Sequence, residues 1–477
     1  MADADVIVVG GGLAGLACAT ALGDHGMRVR LLEADDNAGG RARSFSDEVT
    51  GDRVDIGPHI VLSEYRNLLR LLEQFGSHGQ VAWQGSRFIT FVDKPRPVTF
   101  YVRPLPAPLH FMPSLLRIPQ VSLGDIASNA RLFWRVMRLR ADDVQRLDGD
   151  PAEAVLRRWG VRRRFIDWYW RTVSMAIMNV PLERCSAGAL LAFFRYMIGV
   201  GGYQVGFAAT GLGDLFVPQA TRRIAAQGGD VLLRTRVAQV EPGREGDVAG
   251  VRLADGSVLH ARWVVSALPP QDLLPLLPHA WSSDHAMFQD IGRFAPSPYI
   301  STYLWFDRKL TRERFWAKVW SQQTLNYDFY DLSNIRDGWQ RRNSLITSNL
   351  IYSARAHAMS DEAIVAATVR ELSEYLPEAA KAKIVHARVH RIPMAIPAPY
   401  PGSERMRPCN RTPIDGLFLA GDWTHTGLPA SMESAVRSGW LAAEQVLRAA
   451  GRPQSIASPL PRMEGLVRLV AGAAPAA

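Results

Sequence analysis

The sequence predicts an α/β fold: a discontinuous Rossmann-like dinucleotide-binding domain carrying a second, α+β domain, and three observations predict it. First, Val6-Ile7-Val8-Val9 is apolar at every position, as a parallel strand covered on both faces must be. It runs directly into Gly10, Gly12 and Gly15, spaced as G-x-G-x-x-G. Second, Val29 to Leu32 form the next strand, and Glu33 ends it about 20 residues after the first glycine, where such a unit places its acid. Third, another apolar strand, Gly416 to Ala420, ends in Gly421-Asp422 near the far end of the chain, so the domain is built from separated stretches.

Each element has a physical reason. Gly10 suits the tight turn, Gly12 lets the backbone approach a pyrophosphate, and Gly15 lets the helix pack closely on the sheet. The helix from Ala14 to Leu22 aims the N–H groups of its first turn, Leu13 and Ala14 included, and its positive dipole end at the phosphates. Glu33, with Ala34 beside it, offers a carboxylate to ribose hydroxyls and argues against a 2′-phosphate. A lone glycine motif can be an ordinary tight turn; strand, helix and acid in register favour the nucleotide site.

Two further motifs bear on which dinucleotide is bound. Gly39-Gly40-Arg41 brings a guanidinium, a planar bidentate phosphate ligand, to the same place. Asp422 can accept ribityl or ribose hydroxyls, and a helix beginning near Ser431 points its N-terminus beyond them. Asp230 to Val240 reads as one strand, forming a hairpin with Val251 to Leu253 and Val258 to His260.

Together these elements resemble the FAD-binding elements of the flavin amine oxidase and phytoene desaturase superfamily. The resemblance implies FAD as cofactor. It also implies that Gly39, Gly40 and Arg41 lie along the pyrophosphate and that Gly421 and Asp422 hold the ribityl chain. Ser431 and Met432 would open the helix whose dipole supports the reduced ring, the backbone of Val237 would touch adenine, and Gly57, Pro58 and His59 would lie by the flavin.

The FAD domain is expected at roughly 1 to 75, 211 to 290 and 405 to 450, and the substrate domain at about 76 to 210 and 291 to 404, as two domains of ordinary size require. The tail from Gly451, rich in Ala, Pro and Gly, is expected to be mobile, with Gly465 to Val470 able to form a short apolar turn. No internal repeat is visible. Cys18, Cys185 and Cys409 are scattered without ligand spacing, so neither a metal site nor a disulfide framework is expected, and a reducing, cytosolic compartment is. Asp3 and Asp5 precede the first strand without a basic, apolar leader.

The net charge of +9 permits attraction to anionic lipid or nucleic acid. No nucleic-acid motif is visible and the basic residues sit beside apolar ones, which favours the membrane. In Phe100 to Arg140, Leu105, Leu109, Phe111, Met112, Leu115 and Leu116 precede a helix bearing Arg131, Arg135, Arg138 and Arg140. That segment fits peripheral attachment to the inner face of a membrane, and fits equally a buried helix with a solvated basic edge. Ala187 to Gly213, interrupted by Arg195 and by Gly199, Gly201, Gly202, Gly206 and Gly211, reads as a pocket wall rather than a membrane span.

Within the superfamily, Asp55 to Tyr65, Leu105 to His110, Ala176 to Pro181 with Ser186-Ala187, and Gly421 to Gly439 resemble the squalene-associated FAD enzymes, bacterial hydroxysqualene dehydroxylases. The loop before His59 departs from their pattern, reading Ile56-Gly57-Pro58 in place of Asn-Gly-Gln and so lacking that pattern's polar side chains. The resemblance implies that reduced flavin delivers hydride to the allylic carbon of hydroxysqualene as hydroxide leaves. A C30 chain gains about 0.8 kcal/mol for each buried CH2, so an apolar wall such as Phe193 to Phe207 would supply affinity. His59 and His425 are the candidate acids for the departing hydroxyl, although a lone histidine is more often structural. A carotenoid desaturase or isomerase, an amine oxidase and a non-enzymatic prenyl-binding escort share the fold and remain alternatives. The oligomeric state is not encoded in any motif.

Overall fold

A computed structural model describes residues 3–471. The chain opens with β1 (Ala4–Val9), α1 (Leu13–Asp24) and β2 (Val29–Leu32). It passes to a second layer with β3 (Arg87–Val92) and β4 (Val98–Tyr101), then to a helical region containing α2 (Ala130–Met137) and α3 (Ala187–Gly199). It returns with β5 (Asp230–Leu232), β6 (Val237–Pro242), β7 (Val248–Leu253) and β8 (Val258–Ser266). The second layer is completed by β9 (Pro296–Phe306), β10 (Phe315–Lys318), β11 (Asp328–Asp331), β12 (Leu345–Ile351) and β13 (Ile384–Pro397). The first regains β14 (Leu417–Leu419) and α4 (Met432–Ala449), and α5 (Gly465–Ala471) ends the described chain.

The first sheet has the order β5-β2-β1-β8-β7-β6, with β14 also paired to β8. Its centre is parallel, Val6 standing opposite both Val29 and Trp263, while β6, β7 and the start of β8 are antiparallel. Both faces are covered, which is why β1 is apolar throughout: Val6 and Val8 pack under α1 and α4, Ile7 and Val9 into the opposite core. A Cβ on Gly439 of α4 would lie 2.3 Å from the Ala14 carbonyl oxygen, so glycine there lets α4 cross α1 at backbone contact. The second sheet runs β13-β9-β12-β11-β10-β3-β4. Period-two alternation splits its side chains: Tyr303, Trp305 and Tyr330 enter the core shared with the helical region, while Leu304, Phe306 and Phe329 face the helix Asp361–Ser373.

Two expectations are corrected. The single strand expected from Asp230 to Val240 is two: β5 pairs with β2, the chain turns at Arg234 (φ 52°), and β6 pairs with β7. The turn is held from the first domain, the N–H groups of Arg234 and Thr235 donating to the carbonyl oxygens of Asp35 and Glu33 at 2.9 and 2.8 Å. The tail expected to be mobile is docked at several points, and its 465–470 stretch, expected as a short apolar turn, lies in the helix α5. Ser458 N donates to Asn67 Oδ1 at 2.8 Å, Ile456 N to Glu444 Oε1 at 2.6 Å, and Val467 is wholly buried. Composition alone pointed to mobility, whereas a few apolar side chains and long-range hydrogen bonds suffice to dock the strap; residues 472–477 lie outside the described residues.

Candidate active site

The dinucleotide turn is built by backbone contact. Gly10 (φ +106°) donates its N–H to Leu32 O at 2.8 Å, and a Cβ on Gly15 would stand 2.0 Å from Gly10 O. Either position with a side chain would break the turn. Gly12 caps α1 without a capping side chain, and a Cβ there would meet nothing within 4 Å, so open space lies over the helix N-terminus where a pyrophosphate belongs. Glu33 accepts Gly11 N at 2.8 Å and Asp35 N at 2.9 Å. Those bonds fix the carboxylate while leaving part of its capacity of about four acceptor sites for a ribose diol. The Thr235 N–H bond to Glu33 O brings Ala34 and the buried Val237 to the same end of the sheet.

The second and third motifs meet at that turn. Gly39 N donates to Gly11 O at 2.8 Å, and Gly40 (φ +55°) comes so near that its Cβ would lie 3.2 Å from the Gly12 Cα. Arg41 forks onto Asp422, Nη2 to Oδ1 at 2.7 Å and Nη1 to Oδ2 at 3.2 Å, while Nη1 also reaches the Ala395 carbonyl on β13 at 2.6 Å. One guanidinium thus joins both ends of the chain and the second sheet. Gly421 (φ +138°) donates its N–H to Ser438 Oγ at 2.8 Å, Ser431 Oγ accepts Ser434 N to cap α4, and Met432 is buried behind it.

Arg407, for which the sequence offered no signal beyond a lone arginine, staples this loop. It donates to the carbonyl oxygens of Asp422, Thr424 and Leu428 at 2.9, 2.7 and 2.8 Å. These donors, acids and open glycine faces fit FAD: a helix N-terminus and Arg41 for phosphate, Glu33 for the adenosine ribose, Asp422 for polyol hydroxyls. Glu33→Ala is expected to weaken FAD binding by about 1.5–3 kcal/mol, the worth of a charged hydrogen bond; titration of apoprotein with unchanged affinity would remove Glu33 from the ribose site.

Gly57 and Pro58 lie on the inner face of the second sheet. A Cβ on Gly57 would stand 2.8 Å from Ser301 Oγ, Asn349 Nδ2 donates to Pro58 O at 3.4 Å, and Ser301 Oγ donates to Asn349 Oδ1 at 2.7 Å. His59 is half-buried, with Nδ1 2.9 Å from Gly57 O. A carbonyl only accepts, so Nδ1 carries the proton. Burial holds the imidazole pKa below the usual histidine value, leaving a neutral ring whose Nε2 is an acceptor. The geometry therefore gives His59 the character of a base more than of the acid it was expected to be. His425 is exposed, and among the described residues its ring makes no hydrogen bond; its backbone N–H donates to Pro408 O at 2.8 Å.

Sequence reasoning missed the acid on the sheet. Asp328 is buried on the inner face of β11, where Tyr330 Oη donates to its Oδ2 at 2.9 Å and Asn349 N to its Oδ1 at 3.2 Å. Among the described residues no cation pairs with it, and burial pushes its pKa up to about 7. The Tyr330 ring packs against Phe315 and Phe207, with centroids at 4.8 and 6.0 Å, so the carboxyl adjoins the apolar wall expected at Phe193 to Phe207. The alternation in Tyr327-Asp-Phe-Tyr-Asp331 was the available signal, since it sets Asp328 and Tyr330 on one face. A wide groove of about 1120 Å³ lies on the other side of this sheet, lined by Val365, Val369, Ala387 and Val389, and contains none of these residues. Among the described residues no cluster of His, Cys, Asp and Glu is placed to hold a metal ion.

The fold and cradle define a flavin-dependent oxidoreductase, and the chain belongs to the flavin containing amine oxidoreductase family, which matches residues 13–447. Its cofactor is FAD. The chain is 28% identical over 466 residues to 15-cis-phytoene desaturase of Solanum lycopersicum, covering 93% of this chain and 78% of that protein. It is 27% identical to 15-cis-phytoene desaturase of Synechococcus elongatus, covering 94% and 98%. Among solved structures it is similar to putrescine oxidase bound to putrescine (TM-score 0.70, 18% identity, 93% and 99% covered). An oxidoreductase from Methanosarcina mazei is similar to the same degree (TM-score 0.70, 17% identity, 93% and 99% covered). These two likenesses concern the fold alone.

Proposed function

We propose that the protein acts on a long isoprenoid hydrocarbon and reductively removes the hydroxyl of a squalene-type allylic alcohol, giving the alkene. The observation that carries this reading is the protonatable Asp328, bonded to Tyr330, whose ring packs against Phe207 and Phe315. An apolar chain needs burial and few polar partners; its one polar group, the departing hydroxyl, needs a proton.

FAD, when bound and reduced, supplies the hydride for the allylic carbon. The carbon–oxygen bond breaks with its electron pair on oxygen, the Asp328 carboxyl donates its proton, water leaves, and the carboxylate is reprotonated from solvent. Tyr330 orients that carboxyl through its hydroxyl, and the Gly57–His59 segment, held by Ser301 and Asn349, fixes the floor beside it. A pKa near 7 keeps much of Asp328 protonated at neutral pH while leaving it acidic enough to act.

The similarity to phytoene desaturases favours a second reading, in which the same site takes hydride and a proton from a carotenoid precursor. Incubating reduced protein with hydroxysqualene without oxygen, and oxidised protein with phytoene, separates the two by mass analysis of the extracts. Squalene from the first is expected. A conjugated polyene from the second, with no squalene from the first, would transfer the assignment to the desaturase.

A further inference from the structure

The strap that closes the chain does more than cover the core. Ile456 and Val467 are buried, Glu464 N donates to Gly199 O at 2.7 Å, Leu466 N donates to Ala107 O at 2.8 Å, and Met463 occupies the space over Gly199. The helix α5 is thereby held beside the Leu105 to Leu109 loop and against α2. With Val467 turned inward, Leu466 and Leu469, three residues apart on one helix face, are left in solvent.

Their neighbours are exposed as well. Leu105 and Leu109 flank the Ala107 carbonyl that holds Leu466, Leu116 follows in the same segment, and Trp134 stands on the outer face of α2, whose Leu132 and Val136 are buried. These six side chains, 37 to 75% exposed, are the majority of the ten large hydrophobic residues exposed on the described surface, although they come from chain segments more than 300 residues apart. Soluble surfaces seldom gather apolar side chains in this way without a partner.

A second observation identifies that partner. Arg103, Arg117, Arg131, Arg135, Arg138 and Arg468 are exposed around these residues, and none of them is ion-paired to a carboxylate among the described residues, whereas arginines elsewhere, such as Arg171, hold several. Arg138 lies over the Trp134 ring at 5.4 Å. The acid carried by the strap itself, Glu464, is turned back to accept Gly201 N at 3.0 Å. Apolar side chains rimmed by uncompensated arginines match the boundary between acyl chains and anionic headgroups. Among the described residues no helix is long and apolar enough to cross a membrane, so such contact would be with one leaflet.

We infer that α5 and the 105–134 segment form one surface that docks on an anionic lipid bilayer, with Leu466 and Leu469 inserted and the arginines on the headgroups. The inference goes beyond the proposed reaction and does not depend on which isoprenoid is converted.

Flotation of the FAD-loaded protein with phosphatidylcholine vesicles, with and without phosphatidylglycerol, tests it. The wild type is expected to float with the anionic vesicles, and about tenfold less with neutral ones or at high salt. Leu466→Glu with Leu469→Glu should lower flotation by about tenfold while keeping the flavin spectrum and thermal midpoint. Should that variant lose its flavin, Arg131→Glu, Arg135→Glu and Arg138→Glu together decide the matter, since they lie on a separate helix and should remove the salt dependence. Flotation of both variants equal to wild type, or no flotation of the wild type, overturns the inference. A wild-type dimer that the leucine variant dissociates, with no vesicle binding, would give this surface to a second copy of the chain instead.

Discussion

Asp328→Asn is expected to lower turnover by about 10²–10⁴-fold with FAD still bound, the usual range for loss of a general acid. The replacement keeps the shape of the side chain and an oxygen for the Tyr330 hydroxyl, so packing changes little; what is lost is the transferable proton. In the wild type the rate should fall as pH rises through about 7, because the acting form is the protonated one. The variant should lose that limb. The contribution of Asp328 to stability carries the same signature with its sign fixed by linkage: the folded carboxyl binds its proton more tightly than the unfolded one, so that contribution is greatest below the unfolded pKa of about 4 and is lost as pH rises from there to about 7. Asn at this position removes the slope. Steady-state rates and urea midpoints across that range check both, and a variant with wild-type turnover and an unchanged pH profile would return Asp328 to a structural role.

Arg336→Met is expected to destabilise the protein by about 3–5 kcal/mol, because it strands a buried carboxylate. Arg336 and Asp55 are both almost fully buried, with Nη2 and Oδ2 2.5 Å apart. Asp55 Oδ1 also accepts Leu212 N at 2.8 Å and the Ser44 hydroxyl, while Arg336 Nη1 donates to Ala208 O at 3.1 Å. The pair therefore ties the segment leading to His59 to the loop between the strands β11 and β12 of the second sheet. Adding Asp55→Leu should recover most of the loss, since a buried ion pair replaced on both sides by apolar groups is often close to neutral. Urea unfolding of the single and double variants reads the difference. A single-variant loss below about 1 kcal/mol would mean that water reaches Asp55 and screens it as it does a surface charge.

The strand, glycine turn and helix that open the chain were legible from the sequence because their contacts are local and made by backbone. Gly10, Gly12, Gly15 and Glu33 belong to one strand–turn–helix–strand unit of fixed geometry, in which Gly10 is demanded by its positive φ and Gly15 by close approach to the Gly10 carbonyl oxygen, while Gly12 leaves the helix N-terminus open. The pairing of Arg41 with Asp422 was only half visible. Each residue could be assigned to the cofactor from its own motif, but nothing local specifies that they fork onto one another across 381 residues.

Asp328 and the tail were not read because their character comes from neighbours distant in the chain. A carboxyl in a Tyr-Asp-Phe-Tyr-Asp strand is an ordinary surface acid until helices cover that face of the sheet and remove its water; only then does its proton become available near neutrality. Gly465 to Val470 is too short and too weakly apolar to declare itself as a docked helix, and it becomes one when Val467 finds the core and Leu466 finds Ala107.

By itself, then, the sequence determined the dinucleotide turn and the α/β class, which rest on short-range spacing and on the close approaches and turns that glycine permits, while FAD followed from the resemblance of its motifs to the flavin amine oxidase superfamily. Tertiary structure decided which acid is buried beside the apolar wall, which arginine binds the two ends of the chain together, and which leucines are left in solvent. These last properties are set by desolvation and long-range packing, which depend on what folds over a residue rather than on what stands next to it in the chain.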